Sequence, residues 1–206
     1  MTVRIDEFIS RFRNFFPEQH DWLPWDITKN LQDILFRMIS QLDDDFEIRN
    51  GIAIHKSACV EYGAVIKAPA IICENCFIGS HAYLRGAVYS GNSTTIGPGC
   101  EIKTSILLSS SSVSHFNFIG DSIVGNHVNF EAGSIIANHY NERPDTGIRV
   151  IHQSQIIETN SEKFGALVGD HSRIGANAVL SPGTLLPPGA IIKRLELVDQ
   201  LTKIES

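Results

Sequence analysis

The 206-residue chain has no run of about 18 apolar residues, the length a membrane-crossing helix needs, so no membrane span is expected. Its opening stretch, MTVRIDEFIS, lacks the continuous apolar core of a secretion signal, which points to the cytoplasm. Basic residues are in the minority. Against 23 Asp and Glu there are 17 Lys and Arg, a net charge of −6, and no concentrated basic surface suits nucleic acid. Cysteines number four: Cys59, Cys73, Cys76 and Cys100. Disulfides are not expected in a reducing compartment. Cys73-Glu-Asn-Cys76 has the C-x-x-C spelling of metal and redox sites, but no second pair or ligand-spaced histidines accompany it. Apolar residues still make up 43%, enough for a sizeable core.

The ordinary periods of helix and strand are also missing from most of the chain. A period of six replaces them. Ile54, Val60, Ile66, Ile72, Ile78, Leu84, Ser90, Ile96, Ile102 and Leu108 step by six, and nine of the ten are aliphatic. The register slips by one at Val113 and Ile119, and again at Val124, Phe130 and Ile136. It then resumes from Val168 through Ile174, Leu180, Leu186 and Ile192. Four positions after the aliphatic comes a small side chain: Ala58, Ala64, Ala70, Cys76 and Ala82, later Ser172, Ala178, Thr184 and Ala190. Glycine often follows the aliphatic directly, as at Gly79, Gly97, Gly120, Gly169 and Gly175.

A chain that turns a corner at every hexad accounts for all three columns. Three hexads, each a short strand, make one triangular coil, the aliphatic pointing in and glycine tolerating the corner's backbone angles. Coils stack about 4.8 Å apart as parallel strands. The expected fold is all-β, a parallel β-helix. Cys76 and Cys100 fall in the small interior column, where a free thiol acts as a small hydrophobe. Cys73 falls at a corner and faces another way.

Residues 1–47 do not follow the six-residue period. Ile5, Phe8, Ile9, Phe12, Phe15 and Phe16 have helical spacing, with Pro17 as a stop. Asp26 is placed to cap a second helix that carries Ile27, Leu31, Ile34, Leu35, Met38 and Leu42 on one face. This helical segment is expected to close the open end of the first coil or to meet a neighbouring subunit. The β-helix is expected over 48–193, interrupted at about 138–165 by a loop or hairpin with Pro144-Asp145-Thr146-Gly147 as its turn. Residues 194–206 are expected to form a short C-terminal helix.

The stretch SHFNFIGDSIVGNHVNFEAGSIIAN, Ser114 to Asn138, holds a histidine-aromatic-glycine-aspartate run followed by an Asn-x-Gly-Ala-Gly-Thr-Ile-like run. It resembles the acetyltransferase domain of the bifunctional N-acetylglucosamine-1-phosphate uridyltransferase/glucosamine-1-phosphate acetyltransferase, over about residues 85–183. The run KFGALVGD extends the likeness to short relatives that keep an N-terminal helical segment and lack the uridyltransferase domain. The resemblance implies a left-handed β-helix, acetyl-CoA as acyl donor, and an amino-sugar phosphate such as glucosamine-1-phosphate as acceptor. It also implies a homotrimer with sites between adjacent β-helices. No Gly-rich nucleotide-binding domain precedes the repeat, so uridylyl transfer is not expected.

Carried over by residue, the resemblance puts the general base on His115 and a sugar-phosphate arginine on Arg85. Its Glu-x-Lys pair falls on Glu101 and Lys103, its asparagines on Asn129 and Asn138, and its lysine on Lys163. Coenzyme A contacts fall on Ala176 and Arg194. Three positions depart from the family pattern: Phe118 replaces a tyrosine, Glu131 a glycine, and His139 the tyrosine after the asparagine. In the implied chemistry His115 takes a proton from the acceptor as it attacks the thioester, and a backbone N–H or an asparagine holds the oxyanion. Apart from any resemblance, Arg85 and Lys103 are separated by three hexads, which is one coil. They should stack as two cations suited to an anionic acceptor.

Two other readings remain. The loss of a tyrosine at Phe118 favours a non-catalytic scaffold that binds a sugar nucleotide. A γ carbonic anhydrase-like metalloenzyme would need converging histidines, but His115, His127 and His139 are spaced by two hexads, two sides of the triangle each time. No bound metal is expected.

Overall fold

In the computed structural model, residues 2–201 are described. They form a left-handed parallel β-helix with three faces. The first face is built from Ile52–His55, Ala70–Ile72, the ends of Tyr83–Ser90 and Glu101–Leu107, Ile123–Val124, Ala166–Val168 and Thr184–Leu186. The second is a seven-stranded sheet running from Cys59–Val60 to Ile191–Ile192. The third starts at Val65–Ile66 and includes Phe118–Gly120 and Ile135–Ile136. Inward side chains stack coil on coil: Ile78, Ile96, Val113, Phe130 and Ile174 on the second face are all buried. Each such burial is worth about 1.5–3 kcal/mol, and the columns are the core.

Glycine's place in the repeat has a different cause from the one expected. Gly97, directly after the aliphatic, has an ordinary φ, and a Cβ there would lie 2.1 Å from the Ser114 carbonyl oxygen on the next coil. Close approach between coils demands the glycine. The left-handed backbone falls two residues later, at Gly63, His81, Gly99, Phe116, Gly133, Asn177 and Leu195 up one corner.

The slips of register are also placed differently. Leu107, rather than Leu108, pairs with Ser90 and Val124 in the interior column. Each slip therefore removes a residue at the corner between the third and first faces, at Thr104 and at Asp121, both with φ 46°. The insertion leaves the same corner, after Ile135–Ile136, and returns at Ala166–Val168. Every irregularity of the β-helix gathers there.

The first face is covered on its outside as well. Ile71, Tyr89, Ile106, Ile123, Leu167 and Leu185 point outward yet are buried, which is why these strands read as nearly continuous apolar runs. The N-terminal segment lies along this face instead of closing the coil end. It comprises a 3₁₀ turn Ile5–Glu7 and helices α1 (Phe12–Phe15), α2 (Pro24–Lys29) and α3 (Leu31–Ile39). The helical spacing over 5–16 yields only these short pieces, because Arg11 takes φ 60° between them. Leu23, not Asp26, is the N-cap of α2, with Pro24 at the first helical position. Ile27, Leu31, Ile34 and Leu35 are buried as the pattern requires. The buried Asp170 carboxylate ties the segment down by accepting from the Ser10 N–H and hydroxyl, 2.9 and 2.6 Å away. The edge of the first coil is instead covered by Phe46–Arg49, antiparallel to Ile52–His55.

The insertion forms a hairpin, Arg149–His152 with Gln155–Glu158. Its turn is Gln153-Ser154, φ 49° and 63°, and not the Pro144–Gly147 run, which lies in the loop before it. Two left-handed central residues match the twist of a tight hairpin, and Gln-Ser is an uncommon spelling of that turn. The C-terminal stretch is not helical through Leu201. Leu197–Val198 pairs in parallel with Val179–Leu180, so the six-residue step from Ile192 to Val198 continues the β-helix. The rest of the expected helix, 202–206, lies outside the described residues.

Candidate functional site

The expected site residues divide among three places. Arg85 and Lys103 are direct neighbours on adjacent strands of the third face, as their spacing requires. Neither is a free cation. Arg85 pairs with Glu101 at 2.6 Å, and Lys103 with Asp121 at 2.5 Å. The two pairs differ in depth: side-chain exposure is 37% and 34% for the first, 15% and 9% for the second. Asp121 also accepts from the Asn138 side-chain amide, so Lys103, Asp121 and Asn138 form one buried cluster at the irregular corner. Lys163 lines the cavity of about 380 Å³ beside it.

Asp121 was not among the expected residues, although Lys103 and Asp121 are themselves 18 apart. The slip at Thr104 shortens that coil to 17 residues, so Gly120 stacks on Lys103 and Asp121, one residue further, returns its carboxylate to the lysine. Gly120 forms the floor between the cluster and the rest of the face. A Cβ there would come within 2.9 Å of both the Asn138 side chain and the Phe118 ring.

His115 sits at the opposite edge of the third face, at the regular corner with the second face. It is exposed, and its ring meets Phe116 edge-on at 5.9 Å. Its carbonyl oxygen accepts from the Gly133 N–H, at the same corner one coil on. Ala176 and Arg194 occupy later coils of that corner. The chain of His115, Ala132, Ala176 and Arg194 thus climbs one edge, each coil adding about 4.8 Å.

Asn129 is exposed on the second face, away from the buried cluster. With Glu131, Arg173, Lys193 and Arg194 it lines a cavity of about 500 Å³. Glu131 binds both residues expected to contact coenzyme A. Its carboxylate accepts two bonds from Arg194, 2.7 and 2.8 Å, and one from the Ala176 N–H, 2.9 Å. The Arg194 bonds, then the Ala176 amide, hold its carboxyl down to about 2.

His115, His127 and His139 do not converge. His127 stacks on His171, ring centroids 4.9 Å apart, and His139 lies beside the Asn138 side chain. Among the described residues no group of three or more His, Cys, Asp or Glu is arranged to hold a metal ion. Cys73 and Cys76 are both buried, Cys73 beside Tyr89 on the outside of the first face, where the N-terminal segment covers it. Burial pushes the Cys73 thiol up to about 12 and raises Cys76 and Cys100 as well, which makes them inert packing groups.

Repeat, handedness and corner geometry define a hexapeptide-repeat β-helix protein. No family model matches the chain. It is similar to a bifunctional sugar-1-phosphate nucleotidylyltransferase/acetyltransferase of Sulfurisphaera tokodaii, 29% identical over 182 residues, 83% of this chain and 45% of that protein. The bifunctional protein GlmU of Methanococcus vannielii is 30% identical over 187 residues, 89% of this chain and 44% of the relative. The uncharacterized acetyltransferase YaiX of Escherichia coli O6:K15:H31 is 30% identical over 137 residues, 66% of this chain and 59% of the relative. The chain therefore spans less than half the length of the two bifunctional relatives. The resemblance read from the motifs is borne out on the acetyltransferase part of such proteins.

Proposed function

We propose that the protein is an acetyl-CoA-dependent acyltransferase that N-acetylates an amino-sugar phosphate, glucosamine-1-phosphate being the reference acceptor. The observation that carries this reading is the third face itself, with an exposed histidine at one edge and the Lys103–Asp121–Asn138 cluster at the other. An acceptor lying across Gly120 and Phe118 has its amine toward His115 and its anionic group toward the lysines. His115 takes the proton of the attacking nitrogen, the N–C bond forms, and the C–S bond of the thioester breaks. The imidazolium then returns its proton to the coenzyme A thiolate. Asn129 or a backbone N–H near the corner holds the oxyanion as it develops.

Coenzyme A fits the edge that climbs from His115 to Arg194, with Ala176 on the way. Binding there requires Glu131 to release Arg194. A homotrimer, in which the exposed edge of one β-helix faces the next, completes the proposal, and flat prism faces suit threefold packing.

The test is release of free thiol from acetyl-CoA with glucosamine-1-phosphate and a panel of amino sugars, in wild type and His115→Ala. Because His115 is exposed, the variant should fold, and its turnover should drop by at least about a hundredfold. Equal turnover in both proteins refutes the site. A second reading, a sugar-nucleotide-binding scaffold, rests on Phe118 and on the engagement of Arg85 and Lys103 by carboxylates. Binding without turnover on any acceptor would favour it.

A further inference from the structure

The cavity beside Lys163 has a wall that the repeat does not supply. Helix α2 ends at Lys29, and Thr28 and Lys29 line the same space as Thr104, Asp121, Asn160 and Lys163. The helix reaches this corner because Trp25 packs edge-on against Phe164, ring centroids 5.7 Å apart at 73°. Trp25 is one helical turn before Lys29, and Phe164 directly follows Lys163. The aromatic contact therefore brings the two lysines to one cavity, although one lies near the start of the chain and the other in the insertion. Thr28 is buried and donates to the Trp25 carbonyl oxygen, which fixes the last turn of the helix.

Charge in the cavity is unbalanced. Lys103 and Asp121 neutralise each other. Lys29 and Lys163 have no ion pair among the described residues, and Glu162 is the one remaining carboxylate of the lining. Lys29, Lys163 and Glu162 are exposed at the rim, and two lysines against one carboxylate leave a single positive excess around a space of about 380 Å³, room for a phosphate-sized group.

We propose that Lys29 of the N-terminal helical segment, together with Lys163, binds the phosphate of the acceptor. The segment is then a specificity element as well as a cover for the first face. This inference rests on the acyltransferase reading for its acceptor, and on the cavity alone for its anion. Lys29 acts on ground-state and transition-state binding alike, so its loss appears in KM and leaves kcat in place.

The experiment compares wild type, Lys29→Gln and Lys29→Arg, with glucosamine-1-phosphate and with unphosphorylated glucosamine as acceptors. Lys29→Gln is expected to raise KM for the phosphorylated acceptor about tenfold, with kcat within about twofold and glucosamine kinetics unchanged. Lys29→Arg is expected to restore most of the loss. An unchanged KM for the phosphorylated acceptor, or an equal rise for both acceptors, overturns the proposal. A parallel titration with inorganic phosphate, followed by calorimetry, needs no turnover. If wild type acetylates nothing, the acyltransferase reading fails while phosphate binding weakened about tenfold by Lys29→Gln still upholds this site. Phosphate binding that is absent, or equal in wild type and variant, counts against it.

Discussion

The two edges of the third face are built on opposite principles. At the corner of His115 every coil repeats the last: a left-handed residue recurs from Gly63 through Gly99, Phe116 and Gly133 to Leu195. At the corner of Asp121 the coils cease to match. Two coils each lose a residue, a long insertion departs, and the N-terminal helix arrives. The regular edge displays side chains to solvent and suits an extended partner molecule. The irregular edge folds polar groups into a largely buried cluster, which a strict repeat cannot do, because identical coils stack identical side chains.

That contrast predicts unequal costs. Asp121→Ala strands Lys103 and Asn138 in a buried place, and should lower stability by about 3 kcal/mol in urea unfolding. Glu101→Ala, which strands the more exposed Arg85, should cost less than about 1 kcal/mol. Equal losses would mean that the two ion pairs do not differ in depth. Next in size is Gly120→Ala. Its methyl must displace Phe118 or Asn138, at about 1–3 kcal/mol, and turnover should fall with it if acceptor lies on this floor.

At the regular edge, Glu131→Gln should loosen the hold on Arg194 and the Ala176 amide. A severalfold lower KM for acetyl-CoA is expected, with the unfolding midpoint unmoved. A higher KM would show that Glu131 orients Arg194 for the cofactor rather than competing with it. Acid should not substitute for that mutation within the physiological range. The Glu131 carboxyl is depressed to about 2, so its contact with Arg194 is intact above its usual value of 4.5 and is lost only as pH falls toward 2. Smallest of all is the response of the thiols. Cys59 is exposed, whereas burial raises the other three, so native protein should show one fast-reacting thiol out of four with a colorimetric disulfide reagent.

Much of this was legible before any coordinates. Steps of six in Ile72, Ile78 and Leu84 state which way each side chain points, and the count of three hexads states what lies above what. The same count does not reach Asp121 by stacking, because the shortened coil sets Gly120 over Lys103. The expected helix at the C-terminus failed for the reverse reason: Val198 keeps the step of six from Ile192, and the charged residues around it fall in the turns between strands. Gly97 shows a subtler limit, since its letter is the same whether a φ or a neighbouring carbonyl excludes the side chain. The slips in register were visible, but a count along one column cannot say at which corner the missing residue fell. His115 and Asn129 consequently sit on regular hexads, and of the residues tied to the slips only Asn138 is at the irregular corner.

Periodicity by itself determined the coil, its three faces and its core, because inside and outside are decided within a single hexad of chain. Tertiary structure alone decided which face is covered and where cations are left unpaired. Those outcomes depend on contacts such as Ser10 with Asp170 and Trp25 with Phe164, which join segments from opposite ends of the chain. No repeat encodes them, since each is made once.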